Sequence, residues 1–508
     1  MDMKKRLISV LLCVLMVFSV VEVGKLNTIG NDEGMFQQKP TIYFWYTDEN
    51  LSDYISSMAL KFNEEYNVRV TPVLQSGLEY LEEINQESLY TQTVPDIYLI
   101  TNDSLEKAYL SGLACEIEDA EGTVSEENFS SSALKAVTYQ GKVIGYPYYA
   151  ETSAFLYNKT FLEDWAETQI LAEIDAQAGE EAQEEVDEEG SGEAEVSVVE
   201  EEPEITDEEL TQQVAERVST LIPSTFDELL EFANSYDAPV GVESVFNWDV
   251  EDIFYNYFFI GNYMNVGGEY GDNPDDISIY NIEAITAMKL YQDMNQFFSI
   301  EADSVAYDAV IEDFIAGKLV FTTATTDVLA TLEQAIADEE FLYEYGIAPI
   351  PDLNEALPSR NLAVTSTLVI NGYSTQKDLA NQFAQFLAVE QAESLYAQTG
   401  KMAANSNIDY GDIQLEYFME EYADSVPMPK MMTTSNFWVQ LEVAFSQIWN
   451  GASVTDTLKS LSEQILTQVT GEAYEETYIP EPSDEEITEY IDGVLADEIQ
   501  LDDVELED

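Results

Sequence analysis

A chain of 508 residues with 45% hydrophobic and 12% aromatic content can bury a large core and divide into two or three domains. Its 100 acidic against 19 basic residues give a formal net charge of -81, which repels nucleic acid and anionic membrane surfaces, and nucleic acid is excluded as a partner. There is no histidine, so Ser-His-Asp and Cys-His catalysis, imidazole bases and imidazole zinc sites are excluded too.

The chain opens with Lys4, Lys5 and Arg6, then an apolar run from Leu7 to Val21, then Glu22. A basic segment followed by an apolar one too short for an ordinary spanning helix is the pattern of an export signal over residues 1–24. Retention as an N-terminal anchor and lipidation at Cys13 are the alternatives. The expected address is the extracellular face of the cell membrane, anchored or surface-retained, or the medium. Cys13 and Cys115 are not spaced as a metal or redox pair, and loss of the leader leaves Cys115 alone.

From residue 41 strands and helices alternate. "TIYFWYT" (41–47) predicts a strand, "SDYISSMALKFNEEY" (52–66) an amphipathic helix, "VRVTPVLQ" a strand, "YLEEINQESLY" a helix and "DIYLIT" (96–101) a third strand. Such a βαβαβ progression predicts a parallel, helix-flanked sheet. From Glu167 to Arg217 about twenty acidic residues meet one basic residue, a composition that predicts an acidic, partly disordered insertion with helix at its two ends, Phe161 to Ala178 and Asp207 to Ile222. Further on, 282–297 and 308–316 read as helices, "KLVFTTA" and "RNLAVTSTLVING" as strands, and "TQKDLANQFAQFLAV" and "FWVQLEVAFSQIWNG" as helices. Residues 472–508 form an acidic tail with sixteen Asp or Glu and no Lys or Arg, in which Ser483 and Glu486 can cap a short helix.

The stretch "GKVIGYPYYAETSAFLYNK" (141–159) sets tyrosines, a proline and Glu151 close together. With "FIAGKLVFTTATTDVLATLEQA" (314–335), "YGIAPIPDLNEALPSRNLAVTSTLVINGYS" (345–374) and "MPKMMTTSNFWVQLEVAFSQIWNG" (428–451) in that order, it resembles the sugar-binding branch of the extracellular solute-binding proteins of ABC transporters, the group of the maltose- and maltodextrin-binding proteins. The resemblance implies an α/β, two-lobed periplasmic-binding-protein-like fold, each lobe a mixed sheet flanked by helices, with the ligand in the cleft at the hinge. Lobe 1 would comprise 40–150 plus about 358–405, and lobe 2 would comprise 151–357 plus about 406–471, with the 167–217 insertion in lobe 2. It further implies that Glu151 is the hinge carboxylate that bonds sugar hydroxyls, Asp103 an acidic sugar contact and Trp438 a stacking aromatic. Ser104 stands where the family has arginine and Asp327 where it often has tryptophan, so a shorter or different sugar is expected in place of a long maltodextrin.

The residues also fit the chemistry of a sugar site. A sugar shows hydroxyls on its edges and C–H patches on its faces, so its site needs carboxylates or amides together with planar aromatics. Tyr148 and Tyr149 beside Glu151, Trp45 and Tyr46 with Asp48 at the end of the first strand, Asn247 and Trp248 in a loop, and Trp438 meet that need. Each has a plainer reading: tyrosines that only pack the lobes, a Trp45 strand buried on both faces, and a Trp438 helix whose Leu441, Val443 and Phe445 point inward. Glu151 is expected to stand unpaired in the empty cleft. The function expected is the substrate-binding component of an importer, delivering an oligosaccharide to ABC permease subunits, without catalysis, cofactor or metal. The alternatives are a peptide or glycerol phosphodiester in the same fold, a glycoside hydrolase using Asp103 and Glu151, and a surface adhesion protein.

Overall fold

The computed structural model describes residues 39–90, 94–118, 122–188, 205–298, 300, 305–483 and 485–488. The expected export signal, the centre of the acidic insertion and most of the acidic tail lie outside them.

The chain builds a first lobe from β1 (Thr41–Tyr46), α1 (Ser52–Tyr66), β2 (Arg69–Leu74), α2 (Tyr80–Tyr90), β3 (Ile97–Thr101), α3 (Leu105–Leu110), α4 (Ser131–Val137), β4 (Thr138–Tyr139), β5 (Lys142–Val143) and β6 (Tyr146–Glu151). It crosses to a second lobe for β7 (Ser153–Asn158), α5 (Lys159–Glu188), α6 (Asp207–Leu221), α7 (Phe226–Ser235), β8 (Ser244–Phe246), β9 (Asn265–Val266), β10 (Ile277–Ser278), α8 (Ile282–Phe298), α9 (Tyr307–Ile315), β11 (Leu319–Thr325), α10 (Val328–Ala337) and β12 (Tyr345–Ala348). It returns for β13 (Leu362–Ile370), α11 (Lys377–Gln385), α12 (Glu393–Thr399), α13 (Ile413–Asp424) and β14 (Val426–Pro427), then crosses again to α14 (Phe437–Trp449) and α15 (Val454–Thr470).

In the first lobe β1 pairs in parallel with β2 and β3, the consequence of the βαβαβ order. Pro72 cannot donate to a ladder, and β2 accordingly lies at the sheet edge. Helix α1 covers this sheet with Tyr54, Ile55, Met58, Ala59 and Phe62, a stripe at helical spacing, and stops at Asn67 in the left-handed region (φ 57°). The long β13 is almost wholly buried; it runs antiparallel to β3 on one side and to β6 on the other, and takes β14 in parallel. The result is a mixed six-stranded sheet. The second lobe has a four-stranded sheet in the order β12-β7-β11-β8, with β7 antiparallel to both neighbours.

Helices α5 and α6 bracket the acidic insertion. At 30 residues α5 spans about 45 Å, and α6 starts in a capping box between Thr206 and Glu209. The Arg217 guanidinium grips both Glu173 carboxylate oxygens at 2.9 Å. The composition predicts a solvated excursion over all of 167–217, but Ile170, within that range, is 3% exposed, and Ala166 and Val218 beside it join the core of the second lobe. The base of the insertion is therefore packed, because alternate turns of a helix lying on a lobe must bury one face whatever the charge of the other. The start of the acidic tail is also held: Tyr280 and Thr455 bond the backbone of Ile479.

Candidate functional site

Two neighbouring crossings, at Thr152–Ser153 and Asn361–Leu362, are laced together. The Thr152 hydroxyl donates to the Leu362 carbonyl (3.0 Å), the Ser153 hydroxyl to Asn361 Oδ1 (3.0 Å), and the Asn361 amide to the Ser153 carbonyl (2.8 Å) and to the Glu421 carboxylate. Val426 N–H donates to the Asn361 carbonyl, so the third connection meets the other two at this one asparagine. Glu421 also accepts from Ile350 N–H at 2.9 Å, and burial pushes its carboxyl up to about 7. Motion of one lobe against the other has to turn about this knot.

Ligands of open α/β sheets bind beyond the carboxyl ends of the strands. In the first lobe that edge carries Asp48 just after β1, Asp103 just after β3 and Glu151 at the end of β6. Glu151 is not unpaired, as the sequence led us to expect. Its Oε1 lies 2.8 Å from Lys401 Nζ, with an Asp48 oxygen at 3.6 Å and the Tyr149 ring centroid at 5.3 Å from the same nitrogen. Burial opposes the Lys401 charge, yet Glu151, Tyr149 and Asp48 outweigh it and hold the amine above its ordinary value. Both side chains of the pair are partly open to solvent, and such pairs contribute only about 0–1 kcal/mol to stability. Asp103, half-buried, accepts from the Thr101 hydroxyl at 2.5 Å.

The facing edge of the second lobe lies where β7 begins and β8 and β11 end, since Thr325 of β11 is paired with Ser153. Here Tyr255 and Tyr307 stack with centroids 4.4 Å apart and planes 11° apart. Asp249 accepts from Tyr307 N–H (3.0 Å), the Tyr307 hydroxyl accepts from Thr325 N–H (3.1 Å), and the Thr325 hydroxyl donates to Asp327. Burial, reinforced by the neighbouring carboxylates, raises both phenols above their usual range, so they stay neutral donors. Trp438, at the first turn of α14, is half-buried with its ring 5.7 Å from Tyr257.

Several expected contacts lie elsewhere. Trp248 is fully buried, donates Nε1–H to Asn256 at 2.8 Å and stacks on Phe246 at 4.6 Å; it is a core residue and not a platform. Trp45 packs with Tyr80, Ile84 and Tyr98 in the core beneath α2, since its neighbours Phe44 and Tyr46 take the opposite face. Tyr46 is buried with its hydroxyl on Ser52, and Tyr148, 1% exposed, is a core residue beside Tyr54. Asn247 is half-buried, and its Oδ1 has no hydrogen-bond partner among the described residues. On α14 Val443 is exposed while Leu441 and Phe445 are buried, as a 3.6-residue period requires. The residues gathered at the two edges are thus Asp48, Asp103, Tyr149, Glu151 and Lys401 on one lobe and Asp249, Tyr255, Tyr307 and Asp327 on the other. Lys401, Asp249, Tyr255 and Tyr307 escape sequence reasoning; Lys401 comes from 250 positions beyond Glu151.

Two α/β lobes, a three-strand knot between them and polar, aromatic edges on both sides define a two-lobed solute-binding protein. Residues 57–411 match the family described as bacterial extracellular solute-binding protein, and the chain belongs to that family. It is 21% identical over 437 residues to the maltodextrin-binding protein MdxE of Bacillus subtilis (strain 168), covering 84% of this chain and 89% of the relative. The fold is shared with an extracellular solute-binding protein from Staphylococcus aureus in complex with maltose (TM-score 0.65, 16% identity, 86% of this chain and 99% of that one). It is shared also with a cyclo/maltodextrin-binding protein complexed with maltotetraose (TM-score 0.64, 18% identity, 86% and 98%).

Proposed function

We propose that the protein is the substrate-binding component of an ABC importer and that it takes an oligosaccharide between its lobes. The observation that carries this is the edge at the first crossing, where Glu151, Lys401 and Asp48 offer charged hydrogen-bonding groups beside Tyr149. Such groups suit hydroxyls, and the Tyr255–Tyr307 stack on the other lobe suits the apolar face of a ring. The relatives named for maltodextrin support the ligand class. Closure occurs because only a ligand touching both edges stabilises the closed form, which then docks on the permease. The protein works outside the cell, anchored at the membrane face, retained on the surface or secreted. Among the described residues no helix is long and apolar enough to cross a membrane.

A glycerol phosphodiester fits less well, because Asp48 and Glu151 give the edge an excess of negative charge over the single Lys401 ammonium. The test is thermal shift and calorimetry against maltotetraose, other tetrasaccharides, short peptides and glycerol phosphodiesters. A ligand at a hundred times its Kd stabilises the native state by about 2.7 kcal/mol, a melting shift of a few degrees. A shift with saccharides alone, together with a smaller radius of gyration in solution scattering, is expected. A shift with peptides or phosphodiesters alone would replace the proposal.

A further inference from the structure

Lys401 does not reach Glu151 by chance of side-chain flexibility. Helix α12 ends at Gly400 in the left-handed region (φ 70°), and Lys401 N–H donates to Thr399 Oγ1 at 3.1 Å, which turns the chain sharply. The next residues are stitched along β6: Ala150 N–H donates to the Met402 carbonyl and Ala404 N–H to the Tyr148 carbonyl, each at 3.0 Å. That register sets residue 401 opposite 151. A Cβ on Gly400 would stand 3.5 Å from Ala330 of α10, so the turn also brings Lys401 to the boundary with the second lobe.

An ammonium has three protons and a carboxylate two oxygens. Glu151 takes one proton of Lys401 at 2.8 Å; Asp48, at 3.6 Å, is too far for a hydrogen bond. Donors on Lys401 and the second oxygen of Glu151 remain, on side chains 21% and 39% exposed. The pair thus presents a donor and an acceptor side by side, with the Lys401 amine over the Tyr149 ring. A partly open ion pair adds little to folding, so its fixed register is better explained by what it can grip.

We propose that Lys401 is a specificity-determining residue of this cleft, acting with Glu151 as a donor–acceptor pair that reads a vicinal diol on the bound sugar. This rests on the oligosaccharide reading above. Each hydroxyl of such a diol can accept from the ammonium and donate to the carboxylate, both charge-assisted bonds.

The test is calorimetry on the full chain with a tetrasaccharide panel that includes maltotetraose, followed by monodeoxy analogues of the sugar that binds. Lys401→Met is expected to weaken binding 10- to 100-fold with the ligand-free melting temperature nearly unchanged, and Lys401→Arg to restore part of the loss. Combining Lys401→Met with Glu151→Gln should cost less than the product of the two single losses, since they act as a unit. Wild type should reject the analogue lacking one hydroxyl of the diol, and Lys401→Met should bind it as well as the parent sugar. Sugar binding that Lys401→Met leaves intact, or equal discrimination against the deoxy analogue by both proteins, overturns the role of Lys401. Should Lys401→Met unfold, Lys401→Gln takes its place: loss of both affinity and deoxy discrimination supports the proposal, and wild-type affinity with wild-type discrimination overturns it. Wild type that binds no saccharide overturns the oligosaccharide reading itself.

Discussion

At the scale of single residues the two tryptophans first read as platforms differ in burial, Trp248 being fully buried and Trp438 half-buried. Trp248→Ala removes a fully buried ring with its Asn256 bond and should cost about 3–5 kcal/mol, seen as a lower urea midpoint, whereas Trp438→Ala should weaken sugar binding and move the melting temperature by a few degrees at most. Equal stability losses for the two would make Trp438 a core residue as well. Glu421 and Lys430 each add a pH-dependent contribution to stability. Folding raises the Glu421 carboxyl from near 4.5 to about 7, so its contribution is complete below pH 4.5 and is lost as pH rises through 7, roughly 3 kcal/mol at most. Lys430 behaves in the opposite sense: burial lowers its amine from 10.5 to about 7, so its contribution is complete above pH 10.5 and is lost as pH falls through 7. Its amine donates to the carbonyls of Lys135 (2.8 Å) in the first lobe and Tyr270 (2.5 Å) in the second. Urea titrations should show Glu421→Gln flattening the stability profile between pH 4.5 and 7, and Lys430→Met flattening it above 7. A Glu421→Gln profile parallel to wild type would show that the carboxylate titrates normally.

At the scale of elements, most of the helices and strands named from periodicity fall within a residue or two of their observed bounds; the helix predicted at 52–66 is α1, and the strand at 41–47 is β1. Local pattern succeeds there because burial on one face leaves a repeat of 2 or 3.6 in the sequence. It fails for Trp248, which sits in an irregular segment where no repeat reports burial, and for Lys401, whose partner lies 250 positions away. The acidic insertion lies between these cases: its composition revealed the excursion but not its packed base. Replacing residues 178–210 with a short Gly/Ser turn keeps Ile170, Val218 and the Arg217–Glu173 clasp, and should leave the melting temperature and sugar affinity unchanged. Removing all of 167–217 should cost several kcal/mol by uncovering the second lobe. Equal stability of the two deletions, by calorimetry, would show the base to be dispensable.

At the scale of the whole molecule, a charge of -81 makes the compact state repel itself. Raising NaCl from 0.01 to 0.3 M shortens the screening length from about 30 Å to about 6 Å. The melting temperature should therefore climb with salt while affinity for a neutral sugar stays level; an affinity that changes steeply with salt would point to a charged ligand. The central position of β13 has a consequence in time as well as in space. The strands β3 and β6 flank β13, and the Thr152–Leu362 bond spans 210 positions, so the first sheet cannot close until residue 370 has left the ribosome. At 5–20 residues per second that takes roughly 20–70 s of synthesis. Throughout that interval the emerging chain lacks its keystone and remains slow to fold, as long-range pairing requires. A nascent chain destined for export thus stays threadable while its translocation begins, a delay set by where one strand falls in the gene order of the fold.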